Sequence, residues 1–136
     1  DAFFQDIQAM ADVCAAQTGV KPDILRFPGG SSNTTSKKYC PGIMTSLSQS
    51  VGLMGYQYSD WNVSSGDAGE TTSSSQVAAN VIEGMKNHKV SVVLQHDIKQ
   101  FSVEAVEEII QWGLANGYTF LPMDKTSPMA HHGINN

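Results

Sequence analysis

The sequence predicts an α/β domain of about four parallel strands alternating with about four helices, and three observations lead there. Helix-spaced apolar stripes alternate with short aliphatic runs in the order α-β-α-β-α-β-α-β, the pattern of parallel strands joined by right-handed crossovers. Successive aliphatic or aromatic runs end in Arg26, Asp60 and His96, as buried strands do on reaching the rim of a sheet. At 136 residues, 40% of them hydrophobic and 15% charged, the chain has room for one compact core and not for two. A closed barrel of the common kind needs about eight strands. The chain therefore reads as a small open sheet or as a piece of a larger barrel.

Residues 1–18 carry Phe3, Ile7, Met10 and Cys14 at helical spacing, with Phe4 and Val13 widening the stripe, and Gly19 and Pro22 end the helix. Ile24-Leu25 reads as the end of a buried strand. Arg26 follows where that strand leaves the core, Pro28 blocks further pairing, and Gly29-Gly30 free the backbone to turn. After a polar loop over 31–38, Pro41 suits the first turn of a helix with Ile43, Met44, Leu47 and Val51 on its apolar face. Tyr56-Gln57-Tyr58 is a short strand leading to Ser59-Asp60-Trp61-Asn62. The Ser/Gly/Thr-rich stretch 63–75 reads as a loop, and its last serines cap a helix with Val77, Val81, Ile82 and Met85 inward. Val90 to Leu94 is a strand running into Gln95-His96-Asp97. Ser102 then caps a helix with Val103, Val106, Ile110 and Leu114 toward the core and Gly117 as its stop. Tyr118 to Met123 makes a last strand, and 124–136 a mobile loop.

Several function classes are disfavoured. The net charge of -5, with Lys37-Lys38 as the densest basic spot, argues against a nucleic-acid partner. No apolar run approaches the ~20 residues that span a bilayer. Asp1 opens on a helical pattern without a basic leader, so a processed or excised segment is expected. Cys14 falls on an apolar helix face as a small core residue; a Cys14–Cys40 disulfide in an oxidising compartment is the alternative. Adjacent His131 and His132 point apart on an extended chain and have no nearby carboxylate or cysteine, so no metal site is expected there. No GxSxG, GxxxxGK, HExxH or CxxC occurs.

Chemistry is expected where strand ends converge. In a parallel sheet Arg26, Asp60 and His96 share one rim. A histidine beside a carboxylate serves as general acid or base, its tautomer set by the aspartate. Trp61 offers an aromatic wall to a sugar or an apolar group, and the N–H groups of the Pro28-Gly29-Gly30 turn face a developing oxyanion. The plainer alternative makes each residue a hydrogen-bonded rim group, a cap or a packing residue.

Arg26-Phe27-Pro28-Gly29-Gly30-Ser31, Asp60-Trp61-Asn62 with Asp67, and Leu94-Gln95-His96-Asp97 resemble three ordered motifs of the polysaccharide deacetylase family. The family is the NodB-homology, carbohydrate-esterase type, and the likeness is to the carboxyl-terminal half of Gram-positive peptidoglycan N-acetylglucosamine deacetylases. The resemblance implies the second half of a distorted (β/α) barrel spanning residues 1–136. It also implies metal-dependent removal of an N-acetyl group from peptidoglycan or a chitin-like polymer, outside the cell or at its surface. By that resemblance His96 is the acid, Asp60 orients it, and Arg26 contacts the catalytic base. Trp61 and Leu94 line the groove with Pro28, and Gly29 stands where the family often has a tyrosine whose N–H lies in the oxyanion hole.

The family's Asp-Asp and His-x-x-x-His motifs, which supply the base and the metal ligands, do not occur in this sequence. The expectation is therefore no metal bound by this chain, a divalent metal (usually zinc) in the complete domain, and inactivity of the chain alone. Its expected partners are a polysaccharide and either an N-terminal half or a second copy that covers its open faces. The competing reading is a carbohydrate-binding or scaffold module of the same fold without chemistry.

Overall fold

The computed structural model describes residues 2–136, so the first residue of the expected opening helix lies outside the described residues. Helix α1 spans Ala2–Thr18, and Gly19 follows it with a left-handed φ of 76°. Strand β1 (Ile24–Leu25) leads through a 3₁₀ turn at Ser36–Lys38 to α2 (Ile43–Leu53). Strands β2 (Gln57–Tyr58) and β3 (Val63–Ser64) follow closely, and then α3 (Ser74–Lys86), whose first turn receives the side-chain oxygen of Ser73 at the Gln76 N–H. Strand β4 (Val93–Leu94), α4 (Gln100–Glu104) and α5 (Val106–Ala115) complete the set. The result is a mixed α/β domain with parallel strands.

Pairing is split. β1 pairs with β2 in one parallel sheet, Ile24 opposite Gln57 and Leu25 opposite Tyr58. β3 pairs with β4 in another, Val63 opposite Val93 and Ser64 opposite Leu94. β2 and β3 are two halves of one chain passage, interrupted at Ser59-Asp60-Trp61-Asn62. The interruption is bridged by side chains: Asn62 Nδ2 donates to Val90 O at 2.9 Å and Asn62 Oδ1 accepts from Val92 N at 2.7 Å, extending the second ladder.

Each sheet has its own core. Phe27, Met44 and Val51 are buried beside β1 and β2, with Phe3, Ile7, Leu25 and Tyr58 packed against them. Val63, Val77, Ala78, Val81, Met85, Ala105 and Ile109 form the other, sandwiched among β3, α3, α4 and α5. Close approach of α3 to β3 depends on Gly84, where a Cβ would lie 2.4 Å from Val63 Cγ1.

Five expectations need correction. Residues 63–64, read as loop, are a strand, because the Ser/Gly-rich composition of 63–75 masked two ladder positions. Tyr118 to Met123, read as a strand, joins neither sheet among the described residues. Pro122 lacks an N–H, and a cavity of about 740 Å³ lined by Val90, Val92, Phe120 and Pro122 separates this stretch from β4. In the last helical segment, Ser102 is not a cap but a buried interior residue, and the helix breaks at Ala105. The stripe Val103, Val106, Ile110, Leu114 is exposed, Leu114 by 60%, while Ser102, Ala105, Ile109 and Gly113 face inward. Both stripes have helical spacing, so periodicity alone does not choose between them. Similarly, Met10 and Val13 of α1 are exposed and Ala11 is buried. Cys14 and Cys40 are free thiols. Among the described residues no helix is long and apolar enough to cross a membrane.

Replacing Gly84 with alanine sets helix propensity, a gain of up to about 1 kcal/mol, against overpacking onto branched Val63, a loss of about 1–3 kcal/mol. We expect net destabilisation of about 1–2 kcal/mol, read as a lower urea midpoint with an unchanged slope.

Candidate active site

His96 sits just past the end of β4, on the turn that leads into α4. That turn is tied down by the Lys99 N–H on His96 O at 3.4 Å and by Gln95 Nε2 on Ser102 O at 2.6 Å. The carboxylate beside His96 is Asp67, not Asp60. His96 Nδ1 lies 2.8 Å from Asp67 Oδ1, and the His96 backbone N–H donates to Asp67 Oδ2 at 2.7 Å. Ser102 Oγ donates to the same Oδ2 at 2.6 Å, and Lys99 Nζ reaches the Asp67 carbonyl. The loop that presents Asp67 leaves β3 through Ser65, whose carbonyl accepts from Asn80 Nδ2 of α3 at 3.0 Å.

Asp67 is 1% exposed at its side chain and His96 27%. Burial alone pushes the Asp67 carboxyl up. The hydrogen bonds from Ser102, from the His96 ring and backbone and from Ser65 outweigh it and bring the group down to about 2. An ionised carboxylate only accepts, so His96 Nδ1 carries a hydrogen. Nε2 has no hydrogen-bond partner among the described residues.

Asp60 occupies a different place. It is 2% exposed at the break between β2 and β3, where it accepts from Ser31 N at 2.7 Å, Ser31 Oγ at 2.5 Å and His132 N at 2.8 Å. Burial pushes its carboxyl up, and these three donors together with the nearby His132 ring hold it below the usual range. The expected partnership of Asp60 with His96 is therefore corrected: both aspartates follow the same strand passage, and their spacing in sequence does not reveal which one the turn after β4 meets.

Arg26 and Trp61 are brought together. The Arg26 guanidinium lies 5.9 Å from the Trp61 ring centroid. Trp61 also packs on Gly30, which has a φ of 79° and where a Cβ would stand 3.0 Å from Trp61 Cη2. Pro28 and Gly29 are exposed on the same turn, and Leu94 is buried in β4 at 9%. Within the turn the Gly30 N–H is taken by Phe27 O at 2.8 Å and the Ser31 N–H by Asp60, whereas the Gly29 N–H has no partner among the described residues.

The tail, expected to be mobile, is held across this break. Ala130 O accepts from Asp60 N at 2.6 Å, His131 Nε2 meets Tyr58 O at 3.0 Å and His132 Nε2 meets Trp61 O at 2.7 Å. Asn136 is anchored by Gly42 N at 2.7 Å and Thr45 N at 2.8 Å. Ser31, Ser65, Lys99, Ser102 and the tail backbone were not foreseen from the sequence. Serines and backbone groups carry no pattern that marks them as partners of a distant carboxylate.

Among the described residues no group of three or more His, Cys, Asp or Glu side chains converges to hold a metal ion. These residues do not form the metal site that the family resemblance implies for a complete domain.

No family model matches the chain, and no curated protein matches it. Solved structures do. The catalytic domain of peptidoglycan N-acetylglucosamine deacetylase from Eubacterium rectale is 62% identical, with a TM-score of 0.95 over 99% of this chain and 62% of that one. The chain is homologous to the polysaccharide deacetylases. A polysaccharide deacetylase from Bacillus cereus is 25% identical, with a TM-score of 0.75 over 95% of this chain and 61% of that one. A CE4 esterase from Streptococcus mutans is 26% identical, with a TM-score of 0.61 over 81% and 48%. This deacetylase homologue thus spans less than two thirds of the length of each of these relatives.

Asp67 gives an acid dependence with a definite sign. Its folded value of about 2 lies below the ~3.9 of an unfolded chain. Its contribution, on the order of 2–3 kcal/mol, is whole above about pH 4 and is lost as pH falls through about 2. Replacing Ser102 with alanine removes a donor to that carboxylate, and we expect a loss of about 1.5–3 kcal/mol at neutral pH. Urea titrations of both proteins at pH 7 and pH 3 check this: the difference between them narrows at the lower pH.

Proposed function

We propose that this chain carries the proton-donating side of a polysaccharide N-deacetylase. The substrate is N-acetylglucosamine within peptidoglycan or a chitin-like polymer outside the cell, and the fold is read as the second half of a distorted (β/α) barrel. The observation that supports this most directly is the His96–Asp67 pair, on a chain 62% identical to the E. rectale domain. In amide hydrolysis water adds to the acetyl carbonyl carbon, the C–N bond breaks and the departing amine takes up a proton. His96 supplies that proton from Nε2, with Asp67 holding the ring through Nδ1–H. The Gly29 N–H receives the developing oxyanion, worth on the order of 10²-fold or more in rate for a well-placed donor. Arg26, Trp61, Pro28 and Leu94 form the adjoining wall.

The base is assigned to the N-terminal half of such a domain, whose Asp-Asp motif does not occur in this sequence, and no step is routed through a metal. The open apolar faces, including the cleft of about 480 Å³ lined by Phe3, Ile7, Met10 and Leu25, are read as the surfaces that the rest of such a domain or a second copy covers. That the E. rectale domain is longer than the matched region supports this reading.

Acetate release from N-acetylglucosamine oligomers is the test, with the chain alone and with the chain mixed with the portion of the E. rectale domain that it does not match. We expect release from the mixture. Replacing His96 with alanine lowers kcat by roughly 10²-fold or more, and Asp67→Asn by about 10²-fold with KM little changed. Release that is indifferent to His96 would overturn the assignment.

A further inference from the structure

Asp60 is a buried carboxylate that the proposed proton transfer does not use, and its surroundings assign it a role. Its acceptors are met by donors from two distant segments, the Ser31 N–H and hydroxyl, 29 residues away, and the His132 N–H, 72 residues away. Ser31 is 0% exposed, and its hydroxyl is also within 3.2 Å of His132 O. The Gly29-Gly30 turn immediately before it has left-handed φ values of 72° and 79°, a conformation that glycine permits but does not enforce. The Gly30 N–H closes the turn on Phe27 O at 2.8 Å, Asn33 N closes its other side on Gly30 O at 3.1 Å, and Asn33 Nδ2 donates to Pro28 O at 3.1 Å. The links from this turn to the sheet rim and tail are Ser31 on Asp60 and Ser32 Oγ at 3.3 Å from the His132 ring, and Trp61 lies against Gly30.

We infer that Asp60 is a positioning residue: by gripping Ser31 through both its N–H and its hydroxyl, and the tail through His132 N, it fixes the turn so that the unpaired Gly29 N–H points at one place. A flexible Gly-Gly turn by itself is a poor oxyanion site, because a donor must be held in place before the charge develops. Asp60 supplies that rigidity without touching the substrate. Two oxygens of a carboxylate accept the three N–H and O–H donors together. An asparagine of the same shape has an NH₂ where one oxygen stood, so it sets donor against donor at Ser31 or at His132.

The inference rests on the deacetylase reading only in its kinetic arm, and its test has two arms. In amide ¹H–¹⁵N spectra of the full chain, Asp60→Asn is expected to shift the Gly29 and Ser31 resonances and to speed exchange of the Ser31 amide hydrogen, and Ser31→Ala to shift the Gly29 resonance. His131→Ala, which loosens the tail without touching the acceptors of Asp60, leaves Gly29 in place. In the acetate-release assay Asp60→Asn lowers kcat about 10- to 100-fold with KM within about threefold, the signature of a displaced transition-state donor. Ser31→Ala keeps the backbone N–H bond and gives a smaller loss in the same direction, which keeps the test open if Asp60→Asn does not fold. Shifts confined to residues 130–136, or a change in KM alone, would overturn the inference. If no protein releases acetate, the deacetylase reading falls, and the Gly29 and Ser31 resonances still decide whether Asp60 holds the turn.

Discussion

The break in the strand passage between Gln57 and Ser64 is the constraint on which the rest depends. A parallel ladder satisfies backbone groups automatically, and where it stops each N–H and C=O needs another partner. Here β2 is committed to β1 and β3 to β4; Ser59 N still reaches Leu25 O and Asn62 N still reaches Val92 O, and the other groups between them need partners elsewhere. Asp60 N finds Ala130 O, Asn62 uses its side chain against Val90 and Val92, and the carbonyls of Tyr58 and Trp61 take the rings of His131 and His132. The tail is thereby drawn onto the rim, and with it the polar groups that surround the turn at Gly29.

Two buried aspartates flank this break and solve the same electrostatic problem for different ends. A carboxylate removed from water is destabilised unless several donors replace the water. Asp67 recruits Ser65, the His96 ring and backbone and Ser102, which immobilises a histidine with one nitrogen left over. Asp60 is met by the Ser31 N–H and hydroxyl and by the His132 N–H, and none of these donors is a ring that could carry a proton onward. The first arrangement is suited to moving a proton and the second to holding a loop. Each also links segments 29 or more residues apart, so each carboxylate helps to close the fold as well as to shape its site.

The deacetylase relatives share the fold over most of the chain, and the region matched to the E. rectale domain includes His96, Asp67 and the Gly29-Gly30 turn. The exposed stripe on α4 and α5 and the cleft beneath α1 show that much apolar surface stays uncovered among the described residues. A domain of the length of the E. rectale relative has more chain with which to cover it.

Local rules were enough to read the helix stops at Gly19 and Gly117, a helix start among the serines that close 63–75, the strand at Ile24-Leu25 and the glycine turn, because capping, glycine geometry and apolar spacing act within a few residues. The three motifs that carry Arg26, Asp60 with Asp67, and His96 were legible for the same reason, as was the deacetylase likeness. Local rules were silent on which aspartate meets His96, which stripe of α5 is buried, and whether residues 118–123 pair. Those outcomes depend on contacts between segments tens of residues apart, where one residue of register or one turn of helix exchanges the partners. Most of the elements and the chemical groups at the rim could be read along the chain. That Asp67 bonds to the histidine and Asp60 to the turn came from the fold, because hydrogen bonding to a buried carboxylate is settled by three-dimensional proximity and not by order along the chain.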